Sequence, residues 1–228
     1  MSVAENLERV RSRIADAAKN SGRPEDDVTL VAVSKTWPVE PIRDVFDAGQ
    51  RVFGENKVQE ILEKVDPLPD EIDWHLIGHL QKNKTRKVLP HCACIHSVDS
   101  PGLAEQIGRI AGELGLVPRI LIQVNVASDD AKFGFPVGVV RERFADILAI
   151  ENLEVAGLMT VPSYDADPEK VRPFFAKLRE LRDGLASEHG VALSELSMGM
   201  SHDFEVAIEE GATLVRVGSA IFGERNYA

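Results

Sequence analysis

A lysine closes an apolar run near the start of the chain, in the segment LVAVSKTWP. The run is typical of a buried strand, and Pro38 blocks its immediate continuation. At such a strand end, the amine of Lys35 is either solvated or used chemically. A lysine amine attacks a carbonyl only when it is neutral, and desolvation lowers its pKa toward that state. Lys35 is therefore a candidate nucleophile, and a solvent-facing lysine is the alternative.

Two loops near the other end of the chain combine glycine with serine. GMSH contains Gly199 and Ser201, and RVGS contains Gly218 and Ser219. Glycine lets backbone N–H groups approach an anion closely, and a helix that follows turns its positive end toward that anion. The two loops together predict a phosphate site.

The first of these loops has a second interpretation. Ser201 can cap the helix that follows it, which Gly211 ends, while Asp203 and Glu205 complement the dipole of that helix. The two carboxylates would repel a phosphate if they faced it. Both interpretations remain open on the sequence.

An arginine interrupts the apolar strand LVRV. Arg216 is out of character in a core strand, so it needs a buried acceptor. That acceptor is either Glu55, in an ion pair inside the fold, or a ring nitrogen of a bound cofactor. Combined with Lys35 and a phosphate site, the pattern suggests a Schiff base with a phosphorylated aldehyde or ketone. A Schiff-base aldolase acting on a sugar phosphate would not require Arg216.

The elements that must position these residues alternate between strands and helices. A leading helix starts at a capping box of Ser2 and Glu5 and stops before Gly22. Strands are predicted at 29–34, 51–54, 74–78, 94–97, 119–126, 153–158, 193–197 and 214–217. Helices are predicted between them at 41–48, 57–65, 83–89, 101–114, 141–150, 169–186 and 204–210. In the helix at 169–186, we expect Asp167 to be the cap and Pro168 to take the first position.

This alternation predicts a parallel sheet, and eight βα units in 228 residues predict a closed barrel. An open doubly wound sheet would show fewer strands and a glycine fingerprint after the first one. We therefore expect an α/β fold, a single (β/α)8 TIM barrel with an extra N-terminal helix, as one domain over residues 1–228. In such a barrel the site lies at the carboxyl ends of the strands, which is where Lys35 and the two loops fall.

Composition narrows the class of protein. The chain is 44% hydrophobic and 28% charged, with a formal net charge of −11. That charge argues against general binding to nucleic acid or to an anionic membrane. No apolar run reaches membrane-spanning length, and the first residues lack a signal-peptide core. Two cysteines form no disulfide framework, so we expect a cytoplasmic protein.

The segment HCACIH raises the question of a metal. Cys92, Cys94 and His96 are predicted to alternate onto one strand face. A structural zinc site usually spaces its ligands by a turn and takes a second pair from elsewhere. The sequence shows no second pair, so we expect no metal site.

Several long motifs in order resemble one family. They are VAVSKT, AGQRVFGENKVQE, WHLIGHLQKNK, HSVDS, GLMTVPS and LSMGMSHDFEVAIEEGATLVRVGSAIFGER, which together span nearly the whole chain. The sequence resembles the pyridoxal 5′-phosphate (PLP) binding, PLP-homeostasis family of the YggS/PROSC type. The resemblance implies a barrel like the N-terminal domain of alanine racemase, the fold-type III barrel of PLP proteins.

The resemblance also implies roles for particular residues. Lys35 corresponds to the lysine that forms the Schiff base with PLP, and Arg216 to the arginine at the pyridine nitrogen. The other PLP contacts that it implies are Asn56 beside the ring, and Met200, Ser201, Gly218 and Ser219 around the phosphate. Two positions depart from the pattern, because we expect lysine where Trp37 stands and tyrosine where Lys57 stands. They leave open the role of the second residue after Lys35.

The same residues bear on catalysis. PLP is the strongest electron sink when its ring nitrogen is protonated, and an arginine donates to that nitrogen without protonating it. Alanine racemases also use a tyrosine from a partner subunit, whose chain carries a second β domain. We expect this chain to lack that domain, and we expect neither Tyr164 nor Tyr227 at a strand end.

The expectation is therefore a monomeric PLP-homeostasis or carrier protein with little or no catalysis. Its partners would be PLP itself and apo forms of PLP-dependent enzymes. The alternative is a weak PLP-dependent amino-acid racemase.

Overall fold

A computed structural model of the protein describes residues 2–129 and 131–223. Eight parallel strands close into a barrel in the order β4-β3-β2-β1-β9-β8-β7-β5, and β4 pairs with β5 to complete the ring. A short β6 pairs with β5. The strands are β1 (Thr29–Val33), β2 (Val52–Glu55), β3 (Asp73–Leu76), β4 (Cys94–Val98), β5 (Arg119–Asn125), β6 (Phe135–Pro136), β7 (Glu154–Met159), β8 (Glu195–Ser197) and β9 (Leu214–Val217). The predicted (β/α)8 fold class is confirmed.

The helices surround the barrel. They are α1 (Val3–Asn20), α2 (Val39–Asp47), α3 (Val58–Lys64), α4 (Thr85–Val88), α5 (Pro101–Leu114), α6 (Val137–Leu148), α7 (Arg172–His189), α8 (Phe204–Glu209) and α9 (Ser219–Phe222). The predicted capping box at the start of α1 is present, since Ser2 Oγ accepts from the Glu5 N–H and Glu5 Oε2 accepts from the Ser2 N–H. The extra helix α1 packs against α8 and α9. It thereby covers the side of the barrel where α9 is only 4 residues long.

Several elements differ from the predicted ones. The helix predicted from residue 169 begins at Arg172, because Asp167 caps a separate 3₁₀ turn, Pro168–Lys170, by accepting from the Glu169 N–H. Helix α6 begins at Val137, four residues before its predicted start. The short elements β6 and α9 were not predicted, because they span only two and four residues, too few for a periodic pattern.

Alternation along the strands separates an outer core from the barrel interior. The outer core fills the space between strands and helices, whereas a small apolar cluster that includes Val31 and Leu214 lies inside. Gly54 leaves room there, since a Cβ at its position would lie 2.8 Å from Val31 Cγ1. The interior also holds buried polar side chains from several strands, namely His75, His96, Gln123, Ser197 and Arg216. These side chains lie inside the barrel, and Arg216 among them lines a cavity that opens at the carboxyl ends of the strands.

Within the described ranges, no helix has both the length and the apolar character that crossing a membrane requires.

Candidate functional site

A cavity of about 570 Å³ opens at the carboxyl ends of the barrel strands. Residues after six different strands contribute to its wall, as expected for a (β/α)8 barrel. All seven residues that the sequence analysis assigned to a cofactor line it: Lys35, Asn56, Met200, Ser201, Arg216, Gly218 and Ser219. The rest of the wall consists of Val33, Trp37, Ile77, Val161, Tyr164, His202 and Gly223. The fold thus brings the predicted residues together, while their roles stay predictions.

The turn that carries Lys35 is strained. β1 ends at Val33, Ser34 is fully buried, and Lys35 is half-buried on the cavity wall. Thr36 follows with φ +68°, in the left-handed region that a β-branched residue seldom adopts. Such a conformation persists only where neighbouring contacts impose it.

Those contacts come from an ion cluster behind the turn, on the outer face of β2 and on α3. Lys64 Nζ lies 2.6 Å from Glu55 Oε1 and donates to the Ser34 carbonyl at 3.0 Å. Ser34 Oγ donates to the same Glu55 oxygen at 2.7 Å, and the Thr36 N–H donates to Glu60 Oε2 at 2.5 Å. Lys64 and Glu60 therefore bind the backbone on the two sides of Lys35, and Glu55 binds the side chain of Ser34. We call Glu55, Glu60 and Lys64 the lysine clamp.

Burial sets the protonation of the clamp. It raises the pKa of Glu55 to about 7, although the Lys64 ammonium opposes the shift. Burial acts in the same direction on Glu60, but the Thr36 N–H and the other clamp residues lower the pKa of Glu60 overall. Glu55 Oε2 is buried and has no hydrogen-bond partner among the described residues. Glu55 is thus the group in the clamp that titrates near neutral pH.

Arg216 has a different environment, inside the barrel. Its guanidinium donates to Ser197 Oγ and, at 2.9 Å, to the Thr160 carbonyl. Among the described residues, no carboxylate lies within ion-pair distance of it; the alternative of a Glu55–Arg216 pair is wrong, because Glu55 points outward to Lys64. Burial lowers the pKa of Arg216 to about 10, opposed by the charge of Asp203, so the guanidinium remains charged at neutral pH. A buried positive charge therefore faces the cavity, ready for an acceptor.

Behind Arg216, hydrogen bonds continue into the barrel. Ser197 Oγ lies 2.8 Å from His96 Nδ1, and His96 Nε2 lies 2.8 Å from His75 Nδ1. Burial lowers the pKa of His75 to about 4 and that of His96 well below its usual value. Both imidazoles are neutral at pH 7. We call Ser197, His96 and His75 the interior chain.

The two glycine–serine loops contact each other. Ser201 Oγ accepts from the Gly218 N–H at 3.2 Å, so the interpretation of Ser201 as a helix cap is wrong. Helix α8 begins only at Phe204, and Ser201 lies in the turn before it. Gly199 has φ +90°, and a Cβ there would lie 2.6 Å from the Cβ of Ala207. The sharp turn at Gly199 thus lets Ser201 reach the neighbouring loop.

The acidic residues beside this loop are both engaged. Asp203 is buried, and its Oδ1 accepts from the Met200 N–H at 2.6 Å. Glu205 pairs with Arg13 of α1 at 2.5 Å, away from the cavity. Glu205 is therefore not opposed to an anion in the cavity. The N–H groups of Met200 and Gly218 are already occupied, by Asp203 Oδ1 and Ser201 Oγ, which leaves the hydroxyls of Ser201 and Ser219 as the stronger candidates for an anion.

The histidines of the interior chain also approach a cysteine. His75, Cys94 and His96 each have one atom that could bind a metal, and these three atoms lie within 4.8 Å of one another. The predicted strand face with Cys92 is wrong, because β4 begins at Cys94. The facing nitrogens of the two histidines are hydrogen-bonded to each other, and burial raises the pKa of the Cys94 thiol to about 12. These features favour a hydrogen-bonded cluster, and the expectation that the site holds no metal stays a prediction.

Two aromatic residues of the wall were not predicted. Tyr164, in the loop after β7, lines the cavity although it is 73% exposed, and its ring lies 4.5 Å from that of His202. Trp37 also lines the cavity and stacks on Phe222, with the two ring centroids 5.7 Å apart. Tyr164 was not predicted at the site because it follows no strand directly, and a loop that folds back leaves no periodic signal. Tyr227 lies outside the described residues.

Known proteins share the fold described above. The family model of the alanine racemase N-terminal domain matches residues 5–226. Alanine racemase of Clostridium difficile 630 has a TM-score of 0.76 at 16% identity, covering 97% of this chain and 57% of that one, which shows the shared fold alone. The fold is thus that of the alanine racemase N-terminal barrel class.

Relatives of the same length narrow the class. A pyridoxal phosphate homeostasis protein of Aquifex aeolicus is 48% identical over 228 residues, which cover 100% of both chains. PipY of Synechococcus elongatus, solved with PLP bound, is 39% identical with a TM-score of 0.87, covering 97% of this chain and 100% of PipY. The chain belongs to the family of pyridoxal phosphate homeostasis proteins.

Proposed function

We propose that the protein binds PLP as a Schiff base on Lys35 and acts in intracellular PLP homeostasis or carriage, with little or no catalysis. The observation that carries the proposal is that Lys35, Arg216 and the Ser201–Gly218 contact line one cavity. We further propose that residues 1–228 form one domain, monomeric and cytoplasmic, that hands PLP to apo forms of PLP-dependent enzymes. The family name of its relatives and the PLP bound to PipY support this function.

The donor set of the cavity fits PLP. An amine suits the aldehyde, with which it condenses by losing water. A charged guanidinium that contacts no carboxylate in the described part of the chain suits an unprotonated pyridine nitrogen, which only accepts. The hydroxyls of Ser201 and Ser219 suit a phosphate, and the bond from the Gly218 N–H to Ser201 Oγ holds the two serine loops together. Asn56 completes the wall beside the ring. PLP would supply the aldehyde and an electron sink.

The low catalytic activity in this proposal rests on Arg216. A carboxylate at the pyridine nitrogen would favour the protonated ring, whereas a guanidinium disfavours it and leaves a weaker sink. One observation favours the alternative of a weak amino-acid racemase: Tyr164 lines the cavity and offers a phenol to the mouth. Incubation with single amino-acid enantiomers tests it, because steady inversion of configuration that Tyr164→Phe abolishes would favour the racemase.

The main test is borohydride reduction of the PLP-loaded protein followed by peptide mapping. We expect one pyridoxyl group, on Lys35, that Lys35→Ala removes together with the visible absorption band. Lys57→Ala is the matched control, because Lys57 is an exposed lysine just after β2 and does not line the cavity. Trapping that survives in Lys35→Ala, or that spreads over several lysines, would contradict the proposal.

A further inference from the structure

The interior chain takes no part in the function proposed above, although it touches a residue that does. Ser197 on β8 contacts Arg216, and His96 and His75 continue from there across β4 and β3. All three side chains are buried, with exposed fractions of 0%, 0% and 8%. Polar groups are placed so deep in a barrel only when they are hydrogen-bonded, and each hydrogen bond here runs between side chains. Such a network constrains the orientation of its members.

The direction of the bonds follows from Arg216. A guanidinium only donates, so Ser197 Oγ accepts from it. The buried hydroxyl proton of Ser197 then needs an acceptor, and the one contact that offers it is His96 Nδ1. His96 must then carry its proton on Nε2 and donate it to His75 Nδ1. In the reversed order, His96 Nδ1–H would donate to Ser197, and the buried hydroxyl proton would lack an acceptor among the described contacts.

We propose that Ser197, His96 and His75 are positioning residues that hold Arg216 by a one-way, uncharged chain of hydrogen bonds, so that its full positive charge faces the pyridine nitrogen of bound PLP. The proposal rests on the PLP site proposed above. Every bond of the chain donates away from the cavity, which leaves the remaining N–H groups of Arg216 free to point into it. A carboxylate in the place of Ser197 would fix the arginine equally well, but it would neutralise the charge.

The uncharged state of the chain distinguishes it from an ordinary structural network. A neutral support leaves Arg216 able to disfavour protonation of the pyridine ring, which keeps the cofactor a weak electron sink. A protonated His96 would instead place a second positive charge beside Arg216. The charged groups that act on the two imidazoles are Arg216 and Arg119, and both oppose protonation.

The first test reads the tautomers directly. In ¹⁵N NMR of the full-length protein without PLP, we expect His96 and His75 both to be protonated on Nε2 only and to show no titration between pH 5 and pH 8. His75→Asn and His96→Asn assign the two signals among the six histidines. Protonation on Nδ1 of either residue, or titration of His96 in that range, would overturn the proposal. This reading does not depend on PLP, so it stands apart from the proposed function.

The second test measures PLP binding in matched serine variants. Ser197→Ala should weaken PLP affinity about tenfold and shift the visible band of bound PLP, because Arg216 loses one of its two anchors. Ser197→Thr keeps a hydroxyl and should stay within about twofold of the wild type. Ser97→Ala is the control: Ser97 is also buried and donates to the Gly78 carbonyl at 2.6 Å, but it does not contact Arg216.

A third pair of variants separates hydrogen bonding from packing. His96→Asn puts an amide oxygen near the position of Nδ1 and keeps an acceptor for Ser197, whereas His96→Leu removes it. We expect His96→Asn to retain more affinity and more of the native band position than His96→Leu. Equal effects of the two variants, or an effect of Ser97→Ala as large as that of Ser197→Ala, would reduce the chain to a structural role. If wild-type protein took up no PLP, the proposed function would fail, while the tautomers would still decide the direction of the chain.

Discussion

The two basic residues of the cavity are supported in opposite ways. The turn of Lys35 is held from outside the barrel by three charged side chains of the lysine clamp, whereas Arg216 is held from inside by neutral groups. The difference matches what each residue would do. A reactive amine needs a fixed backbone, but its own charge must be removable. An arginine that acts through its charge needs anchors that do not cancel it.

The comparison predicts its largest effect on stability for Lys64→Met. Removing the ammonium leaves Glu55 and Glu60 close together in a buried place without their counter-charge, and breaking such a pair costs about 3–5 kcal/mol of unfolding free energy. Chemical denaturation at pH 8 measures it. The double variant Lys64→Met with Glu55→Gln should recover part of the loss.

Glu113→Gln is the surface control for that experiment. Glu113 pairs with Arg86 and Arg109 where all three side chains are exposed, so its loss should cost less than about 1 kcal/mol. A loss as small in Lys64→Met would mean that the clamp does not carry the stability of the turn.

The second prediction concerns the pH dependence of stability, to which Glu55 of the lysine clamp and His75 of the interior chain should contribute with opposite sign. The pKa of Glu55 is raised from 4.5 to about 7, so the folded state binds more protons between these values, and stability falls as pH rises through them. The pKa of His75 is lowered from 6.5 to about 4, so the unfolded state binds more protons, and stability rises over that window. Each contributes about 3 kcal/mol, and the two nearly cancel between pH 4.5 and 6.5.

Single variants should separate these contributions. Between pH 4.5 and 6.5, Glu55→Gln should make the rise of stability with pH steeper than in the wild type, and His75→Asn should make it shallower. Urea unfolding at several pH values measures both slopes. A pH dependence that neither substitution alters would show that the two groups do not titrate as the burial of their side chains implies.

The third prediction is a smaller effect on stability at Arg216. Arg216→Met removes a buried cation that contacts no carboxylate among the described residues, so no opposite charge is left behind. The cost is limited to the Thr160 carbonyl, which loses its donor, and to the Ser197 oxygen, which keeps only its bond to His96; together they amount to about 1–3 kcal/mol before any gain from apolar packing. PLP affinity should nevertheless fall more than in any clamp variant. Denaturation and PLP titration of the same sample test both statements, and a stability loss equal to that of Lys64→Met would remove the contrast.

The sequence predicted the cavity residues better than it predicted the side chains that support them. Strand alternation and the strand-end positions brought Lys35, Arg216 and the two loops to one edge of a barrel, because chain order and period are local properties. The partners depend on register between strands and on helix packing. His75 reaches His96 because β3 and β4 pair with His75 opposite Cys94, and Glu55 turns to Lys64 because it falls on the outer face of β2. Neither fact can be read from the spacing of residues along the chain.

The smallest expected effect, at Thr36, asks what the strained turn is for. Thr36→Gly removes the penalty of φ +68° for a β-branched residue and should stabilise the fold by up to about 1 kcal/mol, since the gain is partly offset by the greater freedom of glycine in the unfolded chain. Thr36→Ala keeps most of the strain and is the matched control. If the strain serves to place Lys35, Thr36→Gly should be more stable and yet slower in borohydride-trappable uptake of PLP, because the released turn orders the lysine less. A variant that gained stability and kept the wild-type rate would show that the clamp alone fixes the amine, and that the left-handed turn is only its geometric consequence.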